Sequence, residues 1–133
     1  MKKLRIFFLL TDFGFITYWL ITFLHAIPDA YLFKDYNNPI LSAWNWSFFP
    51  LDMCISFSGI SCLVLYIKKI PLWRKFGLIS LILTFCSGLQ AVSFWFLRND
   101  FDPAWWILNL YLVIYPLFFV KEMVKDPTNA ANE

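Results

Sequence analysis

Apolar residues fall into four long runs, and the short stretches between them hold most of the charge. The runs extend over about Leu4 to Ala26, Trp46 to Ile67, Trp73 to Leu97 and Ala104 to Val120. A helix that crosses a bilayer needs about 20 mainly apolar residues, with a range of about 17–25, and each run meets that requirement. The connections carry turn chemistry. "IPDAYLFKDYNNPI" has two prolines and an Asn pair, "KKIPLWRK" is basic with a proline, "RNDFDPA" is short and polar, and "KDPTNAANE" is a polar tail without an apolar pattern. The pattern predicts an all-α integral membrane bundle of four transmembrane helices. Residues 1–120 form one transmembrane domain and residues 121–133 a polar cytoplasmic tail.

Composition supports a membrane setting. The 133-residue chain is 60% hydrophobic, 22% aromatic and 15% charged, whereas a soluble domain is nearer half apolar and a quarter charged. Sixteen Phe and seven Trp exceed what so small a core can bury, so the surplus apolar surface calls for lipid as its solvent. The N-terminal run follows the basic start "MKKLR". It is longer than the apolar region of a signal peptide and has no small-residue cleavage site before the next loop, so a retained helix is expected. A net charge of +2 gives no reason to expect nucleic acid as a partner.

The basic residues set the expected orientation. Lys2, Lys3 and Arg5 lie at the N-terminus, Lys68, Lys69, Arg74 and Lys75 between the second and third spans, and Lys121 and Lys125 in the tail. The other two loops have one each, Lys34 and Arg98. Cytoplasmic segments carry the excess of Lys and Arg, so both termini are expected in the cytoplasm and the protein in a bacterial plasma membrane. Trp44, Trp46, Trp95, Trp105 and Trp106 fall near the expected outer boundary, as an aromatic belt does.

Two helix starts are predicted from capping chemistry. Asp102 precedes Pro103 as an N-cap followed by proline at the first helical position. Ser47 is expected to cap the second span, which leaves Pro50 in its first turn and Asp52 just below that turn.

The candidate chemistry is the small set of polar residues inside the apolar runs. Asp52, Gln90 and Asn109 are expected at one depth in the outer half, pointing inward, with Tyr18 and Trp19 near the same level and Asp12 in the inner half. Ionisable groups in the apolar layer face the bundle interior and mark functional sites by default. Asp52, Gln90, Asn109, Tyr18 and Asp12 therefore form the candidate ligand or proton site, with interhelical hydrogen bonding as the structural alternative. Asp52, Ser56 and Gly59 share one helix face, as do Ser80, Thr84, Ser87 and Ala91, and such small faces let helix backbones approach closely. His25 is expected at the interface.

Cys54, Cys62 and Cys86 are scattered in apolar stretches without paired spacing, and they are expected to be unpaired. No metal or cofactor is expected. A single histidine cannot build a multi-histidine site, and GxGxxG, HExxH and GxSxG are all missing.

The segments "TDFGFITYW", "WNWSFFPLD", "SFSG" and "DFDPAWW" resemble the YvaD-type family of small bacterial membrane proteins, and the likeness runs from the first span through the fourth. It implies an integral four-helix protein of a Gram-positive bacterium. That family has no assigned activity, so no functional residue is carried over. In architecture alone, Asp12 echoes the acidic residue in the first span of small multidrug resistance transporters, and Asp52 echoes the acidic pocket of sterol-isomerase-like modules.

Four functions fit this reading. The first is binding of a small apolar or lipid-like ligand in an outward-facing pocket between the helices. The second is proton-coupled transport by a homodimer. The third is a non-catalytic accessory or assembly subunit. The fourth and weakest is a membrane isomerase, because no catalytic motif supports an enzyme.

Overall fold

The computed structural model describes residues 1–124. It contains four long helices: α1 (Lys2–Phe23), α2 (Pro39–Ile67), α3 (Trp73–Leu97) and α4 (Pro103–Val124). All four are long and apolar enough to cross a membrane. Among the described residues there is no strand. Large apolar side chains face outward on every helix, including Phe13, Phe57, Ile82 and Phe118. In water an apolar exterior of this extent would drive association; in a bilayer it faces its own solvent. The last helix continues past Val120 to Val124, and the remainder of the expected tail lies outside the described residues.

α3 is the central helix, packing along both α2 and α4, and α1 packs along α2. Of the four neighbouring pairs, α1 and α4 approach each other least, so the ring of helices is loosest on that side. Glycines set the closest approaches. A Cβ added at Gly88 would lie 2.8 Å from Leu112 Cβ and 2.9 Å from the Asn109 carbonyl oxygen, which is why α3 and α4 meet there.

The second helix starts earlier than its capping pattern suggested. Asn38 caps it by accepting a 2.9 Å hydrogen bond from the Ile40 N–H, and Pro39 occupies the first turn. Ser47 lies inside the helix and donates to the Trp44 carbonyl at 2.6 Å. Asn38–Pro39 and Asp102–Pro103 are one signal used twice; at the second, Asp102 Oδ1 accepts from the N–H groups of Ala104 and Trp105. The earlier start moves Pro50 into the helix interior. It also places Asp52 near the middle of α2, about 20 Å along the axis from Pro39 at 1.5 Å per residue. The free N–H groups of a first turn are therefore out of its reach.

Three helices end in the same way. The N–H groups of His25, Lys69 and Asn99 bond back to Thr22, Tyr66 and Phe96, and those of Ala26, Ile70 and Asp100 bond to Ile21, Leu65 and Trp95. This is the Schellman arrangement, whose turning residue takes a left-handed conformation and is usually glycine. Here the residues are His25 (φ 48°), Lys69 (φ 57°) and Asn99 (φ 53°).

Two apolar clusters close the ends of the bundle. At the end bearing the termini, Leu4, Phe8, Cys62, Leu81 and Phe119 pack together. At the far end, Phe33, Leu41 and Trp95 pack with Trp44, Phe94 and Trp105. Between them lies a waist of buried polar residues that includes Thr11, Asp12, Asp52, Ser56, Ser80, Thr84 and Ser87. The cysteines are unpaired, as expected, but only Cys62 is buried; Cys54 and Cys86 are exposed on the outside of the bundle.

Candidate functional site

Asp52 is 4% exposed and held by two donors from different helices. Trp19 Nε1 of α1 donates to Oδ2 at 2.9 Å, and Ser87 Oγ of α3 donates to Oδ1 at 3.2 Å. The bond to Trp19 follows from register. Asp12 and Trp19 lie seven residues apart on one face of α1, and Asp52 and Gly59 seven apart on the facing side of α2. Because the helices run antiparallel, each acid meets the other helix's non-acidic residue. Trp19 reaches Asp52, and Asp12 faces Gly59, where an added Cβ would fall onto its carboxylate.

The two acids are not equivalent. Asp12 is fully buried, and neither of its carboxyl oxygens has a hydrogen-bond partner among the described residues. Ser56 donates to the Asp12 backbone carbonyl at 3.4 Å and not to its side chain.

Asp52 and Ser87 line a cavity of about 230 Å³ to which all four helices contribute. Its walls are mostly aromatic and aliphatic, with Phe15, Trp19, Phe48, Leu108 and Leu112 among them. Tyr18 donates to Asn45 Oδ1 at 2.9 Å, and both line the same space. Asn45 is 8% exposed, and its Nδ2 is buried without a partner among the described residues. The cavity has a floor where Thr11 bonds the hydroxyls of Tyr111 (3.3 Å) and Tyr115 (3.1 Å). Its roof is Phe33, seated between Trp95 and Trp105 at ring distances of 5.5 and 6.0 Å. The roof segment is tied to the end of α3 by an Arg98–Asp35 ion pair of 2.7 Å.

The structure brings together three of the five expected residues. Asp52, Tyr18 and Asn109 line the cavity, although Asn109 donates to the Trp105 carbonyl at 2.7 Å and not to Asp52. Gln90 is exposed on the outside of α3. The buried stripe of α3 runs through Ser80, Thr84, Ser87, Gly88, Ala91 and Trp95, and at 100° per residue Gln90 lies roughly 110° from its centre. Asp12 lies behind the floor, next to Gly59, and does not line the cavity. Two residues expected only as a neighbour or a packing element, Trp19 and Ser87, are the partners of Asp52. Asn45 was missed because the second span was started one residue beyond it. The Asn38–Pro39 cap was the signal that would have included it.

No solved structure matches the chain. It is 50% identical over 126 residues, covering 95% of each chain, to "Uncharacterized protein YvaD" of Bacillus subtilis (strain 168). A family model described as "Family of unknown function (DUF5360)" matches residues 4–130. With nearly the whole length matched in both comparisons, the chain belongs to the DUF5360 family.

Proposed function

We propose that this protein is a multi-pass protein of the bacterial plasma membrane, with both termini cytoplasmic, that binds a small apolar or lipid-like molecule in the cavity between its helices. The observation that carries this reading is the cavity itself. Space of about 230 Å³ is lined by apolar side chains of all four helices, with a few polar groups, Asp52, Ser87, Asn45 and Asn109, set into its wall. Binding sites for small molecules have this make-up. A bundle that used its polar residues only to join helices would close over them, as the α2–α3 seam does where Ser80 reaches the Ile55 carbonyl at 3.4 Å.

A small apolar diazirine, an iodophenyl trifluoromethyl diazirine, tests the reading in native membranes. Photolysis is expected to leave adducts on the buried wall of α3, at Ser87, Ala91 and Trp95. Adducts confined to lipid-facing residues such as Phe57, Ile82 and Phe118 would refute it.

A second reading, proton-coupled transport by a homodimer, is supported by Asp12, a fully buried acid without a hydrogen-bond partner for its carboxyl among the described residues, on a different level from Asp52. It requires an imposed proton gradient to drive proteoliposomes to accumulate a lipophilic cation such as ethidium, and Asp12→Asn to abolish the uptake. Absence of uptake by the wild type would refute it.

A further inference from the structure

Phe33 lies over the cavity and the Thr11–tyrosine contacts lie under it, and one side faces the gap between α1 and α4. Gly14 lies in that gap. A Cβ placed on it would meet no atom of the described residues within 4 Å. The flanking leucines, Leu10 of α1 and Leu108 of α4, are 62% and 59% exposed while also lining the cavity. A shallow groove on the outer surface of α1, bordered by Phe13 and Thr17, shares Leu10, Gly14 and Tyr18 with the cavity, so groove and cavity adjoin at Gly14. In a membrane-spanning bundle this gap opens at the depth of the acyl chains.

The interior end of the path has a specific chemistry. Both oxygens of Asp52 already accept hydrogen bonds. Asn45 has its Oδ1 committed to Tyr18 and its Nδ2 uncommitted, and a buried amide donor left unpaired is costly. Nδ2 is itself occluded, so a rotation of the amide is needed for it to engage a guest. None of the lining residues is Lys or Arg, and Asp52 is acidic, so a phosphate or carboxylate finds no counter-charge.

We propose that the cavity admits an uncharged, membrane-dissolved molecule bearing a carbonyl or ether oxygen, which enters sideways between α1 and α4 over Gly14 and is seated by a hydrogen bond from Asn45. The proposal rests on the binding reading above. It differs from an outward-facing pocket in its route, and it adds the acceptor to the ligand's description. A competing route exists at the far end, where a smaller cavity of about 120 Å³ meets the first at Tyr18 and Trp105.

The same diazirine separates these cases in the full chain in native membranes. Gly14→Leu fills the gap from an exposed position, and Gly14→Ala is the control that leaves it open. Adducts on Ser87, Ala91 and Trp95 are expected in the wild type and in Gly14→Ala, and their loss in Gly14→Leu. If Gly14→Leu keeps those adducts, the lateral route is wrong while the binding reading stands. If the wild type shows none, the binding reading itself fails. The acceptor is tested by competition at equal membrane concentration. 2-Nonanone is expected to displace the label better than nonane by about two- to tenfold, the worth of one net hydrogen bond. Asn45→Leu made together with Tyr18→Phe, so that no freed tyrosine hydroxyl substitutes as donor, is expected to remove that preference. Equal competition by ketone and hydrocarbon in the wild type would overturn the role of Asn45.

Discussion

Replacing Gly59 with alanine puts a methyl group onto the Asp12 carboxylate. The added carbon would lie 2.7 Å from Oδ1 and 2.8 Å from Cγ, closer than side chains pack, and Asp12 has no solvent-facing space to move into. Overpacking of this kind costs about 1–3 kcal/mol, while glycine-to-alanine inside a helix gains about 1 kcal/mol. The net loss in the wild-type background is therefore about 0–2 kcal/mol. Asp12→Ala removes the obstructing carboxyl together with two buried oxygens that lack partners. An unsatisfied buried polar group costs about 1–3 kcal/mol, so Asp12→Ala is expected to be neutral or stabilising despite the space it leaves. In that background Gly59→Ala meets no carboxylate and keeps its helix gain, so it stabilises by about 1 kcal/mol. The four proteins form a double-mutant cycle with an expected coupling of about 1–3 kcal/mol, against about 0.3–0.5 kcal/mol for independent sites. Unfolding by sodium dodecyl sulfate in mixed micelles, followed by tryptophan fluorescence, measures it. Coupling below 0.5 kcal/mol would show that Asp12 does not face Gly59 and that the α1–α2 register is wrong.

Trp19→Phe keeps a ring but removes the donor to Asp52 Oδ2, and it is expected to destabilise by about 1–3 kcal/mol in the same assay; an unchanged midpoint would contradict the bond. Lys69→Gly relieves a left-handed residue at the end of α2 and is expected to stabilise by about 1 kcal/mol. A loss of stability there would mean that Lys69 makes a contact worth more than its backbone strain. Phe33→Ala empties the roof, with a cost of about 3 kcal/mol, and faster amide exchange over residues 31–36 is its expected signature. An impermeant maleimide applied to intact cells is expected to label Asn37→Cys and not Lys68→Cys; the reverse pattern would invert the proposed orientation.

The four-helix architecture was legible because its signal is coarse: runs of apolar residues of spanning length, separated by charge. The small faces of α2 and α3 were legible too, since Ser56, Gly59, Ser80, Thr84 and Ser87 all proved buried. Depth and partnership were harder to read. An apolar run does not mark where its helix begins, because lipid-facing and core-facing residues look alike, and the start of α2 was missed by seven residues as a result. That one displacement hid Asn45 and set Asp52 just below a first turn that in fact lies about three turns earlier. Gln90 shows a different limit. Proximity to a small-residue seam in sequence does not fix a side chain's direction, and a rotation of roughly 110° separates an inward amide from an outward one. Phe33 had no readable signal, because it acts through a loop that folds back over the helices.

The pairing of α1 with α2 also has a consequence for biosynthesis. Trp19 and Asp52, and likewise Asp12 and Gly59, lie on the first two spans and on their shared seam. Both acids precede α3 in the chain. A hairpin of the first two helices can enter the bilayer with each carboxyl turned toward its sister helix, and with Asp52 already holding the indole hydrogen bond. Ser87, which arrives with the third helix, adds the second bond to an acid that has already crossed. The order of the chain thus gives each of its two buried acids a neighbour within the first two spans, and residues 1–67 already contain both contacts.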